Sequence, residues 1–149
     1  MKITRLLVSV VFSAFVGNAY SSELKPFTSD GCSSFPDGTF EHKLLWRNCC
    51  VVHDKAYWQG GTADQRKLAD LELESCVAEV GEPNIAKLML AGVRVGGSPH
   101  WPTQFRWGYG WDFPRGYGEL LTEEKAMVAE KWKAFESTIF KDRTIKNPQ

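Results

Sequence analysis

The sequence predicts a mostly α-helical domain: two principal helices linked by disulfides, a loop before them, further helices, and an aromatic segment rich in glycine and proline. Three observations carry this. Residues 63–76, ADQRKLADLELESC, contain no proline or glycine and are rich in helix formers. All four cysteines, Cys32, Cys49, Cys50 and Cys76, fall in or beside the first two helical stretches. The amino terminus has the pattern of an export signal, which places those cysteines where disulfides form.

Lys2 and Arg5 precede an apolar run over residues 6–16, and the small residues Gly17, Ala19 and Ser21 follow. This is a secretory signal pattern, and the apolar run is too short to span a bilayer as a helix. Residues 1–21 are therefore expected to be a signal peptide, and 22–149 a single exported domain, periplasmic or secreted. No cysteine stands at the cleavage site to carry a lipid anchor. The chain holds 18 Lys plus Arg and 18 Asp plus Glu, so loss of Lys2 and Arg5 leaves a net charge of −2. That balance excludes the basic footprint of a nucleic-acid-binding protein. It also gives no strong net attraction to an anionic membrane.

The exported part opens with an extended polar lead-in, residues 21–29. Residues 30–40, DGCSSFPDGTF, are a loop by composition. A first helix is expected over residues 41–58, ended by Gly60 and Gly61. On it Cys49, His53 and Tyr57 fall at i, i+4 and i+8 along one face, with Cys50 and Asp54 on a stripe beside them. Thr62 and Gln65 form a capping box for a second helix running to about Val80, where Gly81 stops it. Pro83 suits the first turn of a third helix over residues 84–95, apolar on most sides and expected in the core.

Residues 96–118 have no helical period. Seven aromatic rings there are interleaved with glycines and prolines, and FRWGYGW alternates as a short strand or hairpin would. Two readings stand side by side. Exposed Trp and Tyr suit a lipid–water interface. Alternatively the rings pack over the two-helix core as an ordered lid, which a small domain needs for apolar mass. Residues 122–140 predict a last amphipathic helix. Thr122 is its cap, and its apolar face is marked by Ala126, Ala129, Trp132, Phe135 and Ile139. Residues 141–149 are expected to fray.

Four cysteines in an exported chain favour two disulfides, with three possible connectivities. Adjacent cysteines rarely bridge each other, which leaves two. A zinc site built from these thiols is the other use of such a set, but no C-x₂-C spacing supports it.

The stretch CCVVHDKAY resembles the active-site helix of the secreted, calcium-dependent phospholipases A2, whose pattern is CCxxHDxCY. Asp70 and Cys76 match that family's second, DxxxxxC helix. The family joins these helices by a further disulfide, and both of its cysteine positions are alanine here, Ala56 and Ala69. The resemblance covers residues 30–76, about a third of the chain. It implies a phospholipase A2-like fold of two antiparallel helices bridged Cys49–Cys76, with Cys32–Cys50 tying a calcium loop to the first helix. With that bridge and antiparallel rods, Ala56 would meet Ala69. Asp70, about 9 Å back along its axis at roughly 1.5 Å per residue, would arrive between His53 and Tyr57.

The resemblance further implies the site. His53 is the general base on a water molecule, Asp70 holds its other ring nitrogen, and Tyr57 is hydrogen-bonded to that carboxylate. An unperturbed imidazole titrates near about 6.5, so its neutral form is available near pH 7. Ca²⁺ would be held by the Asp54 carboxylate and the backbone carbonyls of Gly31, Ser33 and Phe35, a hard-oxygen set that suits this ion. The loop departs from the family pattern. It lacks consecutive glycines after Cys32, carries Pro36, and offers Asp30 and Asp37 as further candidate ligands. The implied activity is Ca²⁺-dependent hydrolysis of a phospholipid acyl ester at a membrane interface. The altered loop favours one alternative, a non-catalytic lipid- or protein-binding module on the same scaffold; a disulfide-stabilised envelope protein with only a structural role is a third class.

Overall fold

A computed structural model describes residues 23–146, with side chains through 139. The expected signal peptide lies outside the described residues. Four helices make up the regular structure: α1 (Arg47–Gln59), α2 (Ala63–Glu79), α3 (Pro83–Gly96) and α4 (Thr122–Lys146). There is no strand among the described residues. No described helix is long and apolar enough to cross a membrane.

Disulfides Cys32–Cys50 and Cys49–Cys76 both form, a chemistry of oxidising compartments. Three contacts establish that α1 and α2 are antiparallel. Cys49 is bonded to Cys76, His53 meets Asp70, and Tyr57 meets Arg66, so numbers rise along one helix as they fall along the other. Ala56 and Ala69 join one cluster with Tyr57 and Trp107. The capping box of α2 is present: the Gln65 amide donates to Thr62 Oγ1, and Gln65 Oε1 accepts from the Thr62 amide.

Helix α1 starts at Arg47, later than the sequence suggests. The residues ahead of it are spent on turns: Thr39 and Leu45 donate their amides to His42 O, and the Trp46 amide and indole donate to Asp37 O and Pro36 O. The loop has captured the donors that another helical turn would have used. α3 packs on α2 through Ala86 and Met89 but leaves Leu88 and Val95 exposed, so it is only half a core helix.

Residues 105–111, FRWGYGW, form neither strand nor hairpin. They dock on the end of α1, where the last carbonyls of a helix have no partner of their own. Gly108 N–H donates to Tyr57 O at 2.6 Å, Gly110 N–H to Trp58 O at 3.1 Å, and the Trp111 indole to Gln59 O at 2.8 Å. Only glycine permits this at 110, because a Cβ there would stand 2.5 Å from the Trp58 ring. Trp107 and Trp111 are buried, while Trp101, Phe105, Phe113 and Tyr117 remain exposed. The segment thus combines a packed lid with an outward aromatic surface.

The lead-in contributes to the core. Leu24 and Phe27 are buried, and Phe27 sits edge-on to Trp58, Trp132 and Phe135 at 5.6, 5.3 and 4.6 Å between centroids. Through this cluster α4 is joined to the body, using Met127, Val128, Trp132 and Phe135. Ala126 and Ala129, read from sequence as part of the packing face, are exposed. Leu121, not Thr122, takes the cap position of α4. Its carbonyl accepts from Lys125 N–H, and Glu124 reaches back to its amide.

Candidate active site

Two turns of α1 past its disulfides present His53 and Tyr57 towards Asp70 on α2. His53 Nε2 lies 3.0 Å from Asp70 Oδ1, and Tyr57 Oη donates to the same oxygen at 2.7 Å. Asp70 is fully buried and His53 is 8 % exposed. A carboxylate only accepts, so the shared proton belongs to Nε2. Nδ1 then carries the lone pair, and it has no protein partner among the described residues. This is the arrangement in which a carboxylate fixes the tautomer and orientation of a basic imidazole.

Two arginines complete the surroundings of Asp70, and neither was singled out in the sequence. Arg94 Nε on α3 approaches Oδ2 to 3.1 Å, and Arg66 Nε on α2 to 4.0 Å. Neither is aligned as a hydrogen bond, and Oδ2 has no hydrogen-bond partner among the described residues. Arg66 also donates to Tyr57 Oη, Tyr117 Oη, Val93 O and Arg94 O, so one guanidinium links α1, α2, α3 and the aromatic segment. Its spacing of four residues before Asp70 was the one signal available in the sequence. Burial, ahead of its hydrogen bonds, pushes the Tyr57 phenol above its ordinary range, so it stays a donor.

His53 and Tyr57 line a cavity of about 400 Å³. Its walls are chiefly apolar, with Phe35, Leu73, Leu88, Met89 and Val93 among them. Asp54 borders the same cavity. Its Oδ2 accepts from the Ser29 hydroxyl at 2.6 Å, and it forms no ion pair with a cationic side chain among the described residues. Burial pushes its carboxyl up to about 7 against the opposing Ser29 bond, and the nearby Asp30 and Asp37 add to the rise.

No family model, curated protein or solved structure matches the chain. The functional reading therefore rests on the site itself.

The loop residues Gly31, Ser33 and Phe35 line the cavity beside Asp54. Their carbonyls accept no hydrogen bond among the described residues, whereas those of Cys32, Pro36 and Asp37 are all engaged. Gly31 and Ser33 both have positive φ, 86° and 52°. Asp37 turns into the loop: its Oδ1 accepts from Cys32 N–H at 2.8 Å, and its carboxylate occupies the space a Cβ on Gly31 would need. Among the described residues no group of three or more His, Cys, Asp or Glu side chains is placed to hold a metal. A cation here would depend on Asp54 and backbone oxygens.

Proposed function

We propose that the chain is a secreted, phospholipase A2-like hydrolase that cleaves an acyl ester of a phospholipid. The observation that carries this reading is the 3.0 Å contact of buried His53 with Asp70 at the wall of an apolar cavity. A structural His–Asp pair has no need of a cavity, and a lipid cavity has no need of an oriented base. Together they support the reading of a site that activates water against an apolar ester.

In this reading Nδ1 of His53 takes a proton from water. Asp70 keeps the ring in place and stabilises the imidazolium as it forms, with Tyr57 holding the carboxylate. No serine or cysteine nucleophile is required. The residues present fit Ca²⁺: a carboxylate without a cationic side-chain partner and three unengaged carbonyls form a hard-oxygen set. Asp54, Gly31, Ser33 and Phe35 would hold it. When bound, the ion would polarise the ester carbonyl and stabilise the developing oxyanion.

Fatty-acid release from phosphatidylcholine and phosphatidylglycerol vesicles tests the reading. Release should occur with Ca²⁺, stop with EDTA, and fall at least about a hundredfold in His53→Gln. Equal release by His53→Gln, or none by the wild type, overturns it. One feature favours the non-catalytic binding module instead: Asp37 closes the loop on itself. That reading requires lipid binding with no release under any calcium concentration.

A further inference from the structure

Tyr57 Oη has one proton to give and two acceptors in reach, Asp70 Oδ1 at 2.7 Å and Val93 O at 3.4 Å. Which of them it serves decides whether the carboxylate behind His53 is held by the phenol at all. Arg66 makes the choice at both ends. Its Nε–H donates to Tyr57 Oη at 3.0 Å, and a guanidinium nitrogen accepts nothing, so the hydroxyl proton cannot point towards it. Its Nη2 donates to Val93 O at 2.8 Å, and the same carbonyl accepts from Gly97 N–H at 2.9 Å. A carbonyl oxygen has two lone pairs, and both are then taken. Asp70 is the acceptor left. The chain therefore has a fixed direction: Arg66 donates to Tyr57, Tyr57 donates to Asp70, and His53 donates to the same carboxylate oxygen.

The guanidinium is itself immobilised. Nη2 also donates to Arg94 O at 2.9 Å, and Nη1 donates to Tyr117 Oη at 2.7 Å. The side chain is only 11 % exposed. Its anchors lie on α3 and on the aromatic segment, so the fork is held from outside the helix that carries it. A planar guanidinium serves several acceptors at set angles, whereas an ammonium is a point charge without that geometry. Arg66 Nε stands 4.0 Å from Asp70 Oδ2, so a lysine would keep a positive charge nearby and lose the fork.

We propose that Arg66 is a positioning residue of the candidate site: it directs the Tyr57 hydroxyl onto Asp70 and so keeps the carboxylate in the orientation that holds His53. Arg66 does not line the cavity and acts through Tyr57. The consequence for rate rests on the hydrolase reading; the direction of the hydroxyl does not.

The test takes the full folded chain as wild type, Arg66→Lys, Tyr57→Phe and the double variant, with two readouts. The first is NMR of the His53 Nε2–H proton in the calcium-free protein, assigned by its absence in His53→Gln. The wild type should protect this proton from solvent exchange. Each single variant should lose about tenfold in protection, the worth of one hydrogen bond to a charged group, and the double variant no more than either. The second readout is vesicle hydrolysis. In Arg66→Lys kcat should fall about tenfold with KM within about twofold, and the fall should vanish in the Tyr57→Phe background. If Arg66→Lys does not fold, Tyr117→Phe frees Nη1 at the exposed end, and its loss of protection should likewise vanish beside Tyr57→Phe. A wild type without a protected His53 proton, or full protection in Arg66→Lys, overturns the proposal. So do losses that multiply in the double variant, since Arg66 would then act by packing or charge and not through Tyr57. Coupled loss of protection with no hydrolysis by the wild type supports the fixed hydroxyl and counts against the enzyme reading alone. Hydrolysis with unchanged kcat in Arg66→Lys overturns the positioning role and leaves the enzyme reading standing.

Discussion

Arg94 Nε stands 3.1 Å from Asp70 Oδ2, on the opposite side of the carboxylate from the oxygen that holds His53 and Tyr57. A third helix therefore closes the charge of a buried acid that the first two helices use. Arg94 is partly exposed, and its Nη2 also donates to Lys67 O.

Replacing Arg94 by methionine keeps most of the side chain's bulk and removes its charge. Asp70 Oδ2 then faces only the more distant Arg66. The expected loss is about 1–3 kcal/mol, the cost of removing one charge of an ion pair whose other member stays buried, reduced because Arg94 is partly exposed. Urea denaturation measures it; a change within about 0.5 kcal/mol, typical of surface substitutions, contradicts it.

Asp54 makes calcium-free stability depend on pH. Its carboxyl is raised from 3.8 to about 7 in the folded chain. Between those values the native state holds a proton that the unfolded state has released. Stability from this group is present at low pH and declines as pH rises towards 7. In EDTA the melting temperature should show that decline, and Asp54→Asn should remove it. In the proposed Ca²⁺ site the ion would take the deprotonated carboxylate, so adding it should restore most stability at the alkaline end. Identical pH profiles for the wild type and Asp54→Asn contradict the assignment.

The Cys49–Cys76 bridge closes a loop with a sequence separation of 27. Loop-closure entropy for that length gives about 3–4 kcal/mol. The double variant Cys49→Ala, Cys76→Ala should lose that much by denaturant titration. Its near-ultraviolet spectrum should change as well, since the same bridge sets the height at which His53 meets Asp70.

Phe27→Ala should cost about 3–5 kcal/mol, the range for emptying a buried aromatic site. The loss should be accompanied by faster proteolysis within α4, because Phe27 is the ring on which Trp132 and Phe135 rest. Unchanged cleavage of α4 would show that the helix is held by other contacts.

The two-helix frame was legible because its signals are local and periodic. Cysteines, a histidine and an aspartate repeat at helical spacing on α1, and Thr62 with Gln65 marks the start of α2. The His53–Asp70 contact follows only once the resemblance supplies the Cys49–Cys76 bridge and the antiparallel run. What the sequence concealed lies in aperiodic segments. Phe27 stands in a mostly polar stretch with Leu24, and nothing in its neighbours shows that it meets rings more than a hundred residues later. Arg94 reads as an ordinary charge near a helix end until α3 is laid beside α2. The late start of α1 depends on loop carbonyls taking Trp46's donors, a competition that helix propensity does not register.

The amides of Gly108 and Gly110 on the last turn of α1 give that rod a second anchorage. Sulfur bridges clamp it near one extremity, and a glycine-rich collar grips the other. A short rod held at both ends has less sideways play over its whole span than one held at a single end, and His53 and Asp54 stand between the two anchorages. The candidate site is thus steadied with no sheet behind it among the described residues.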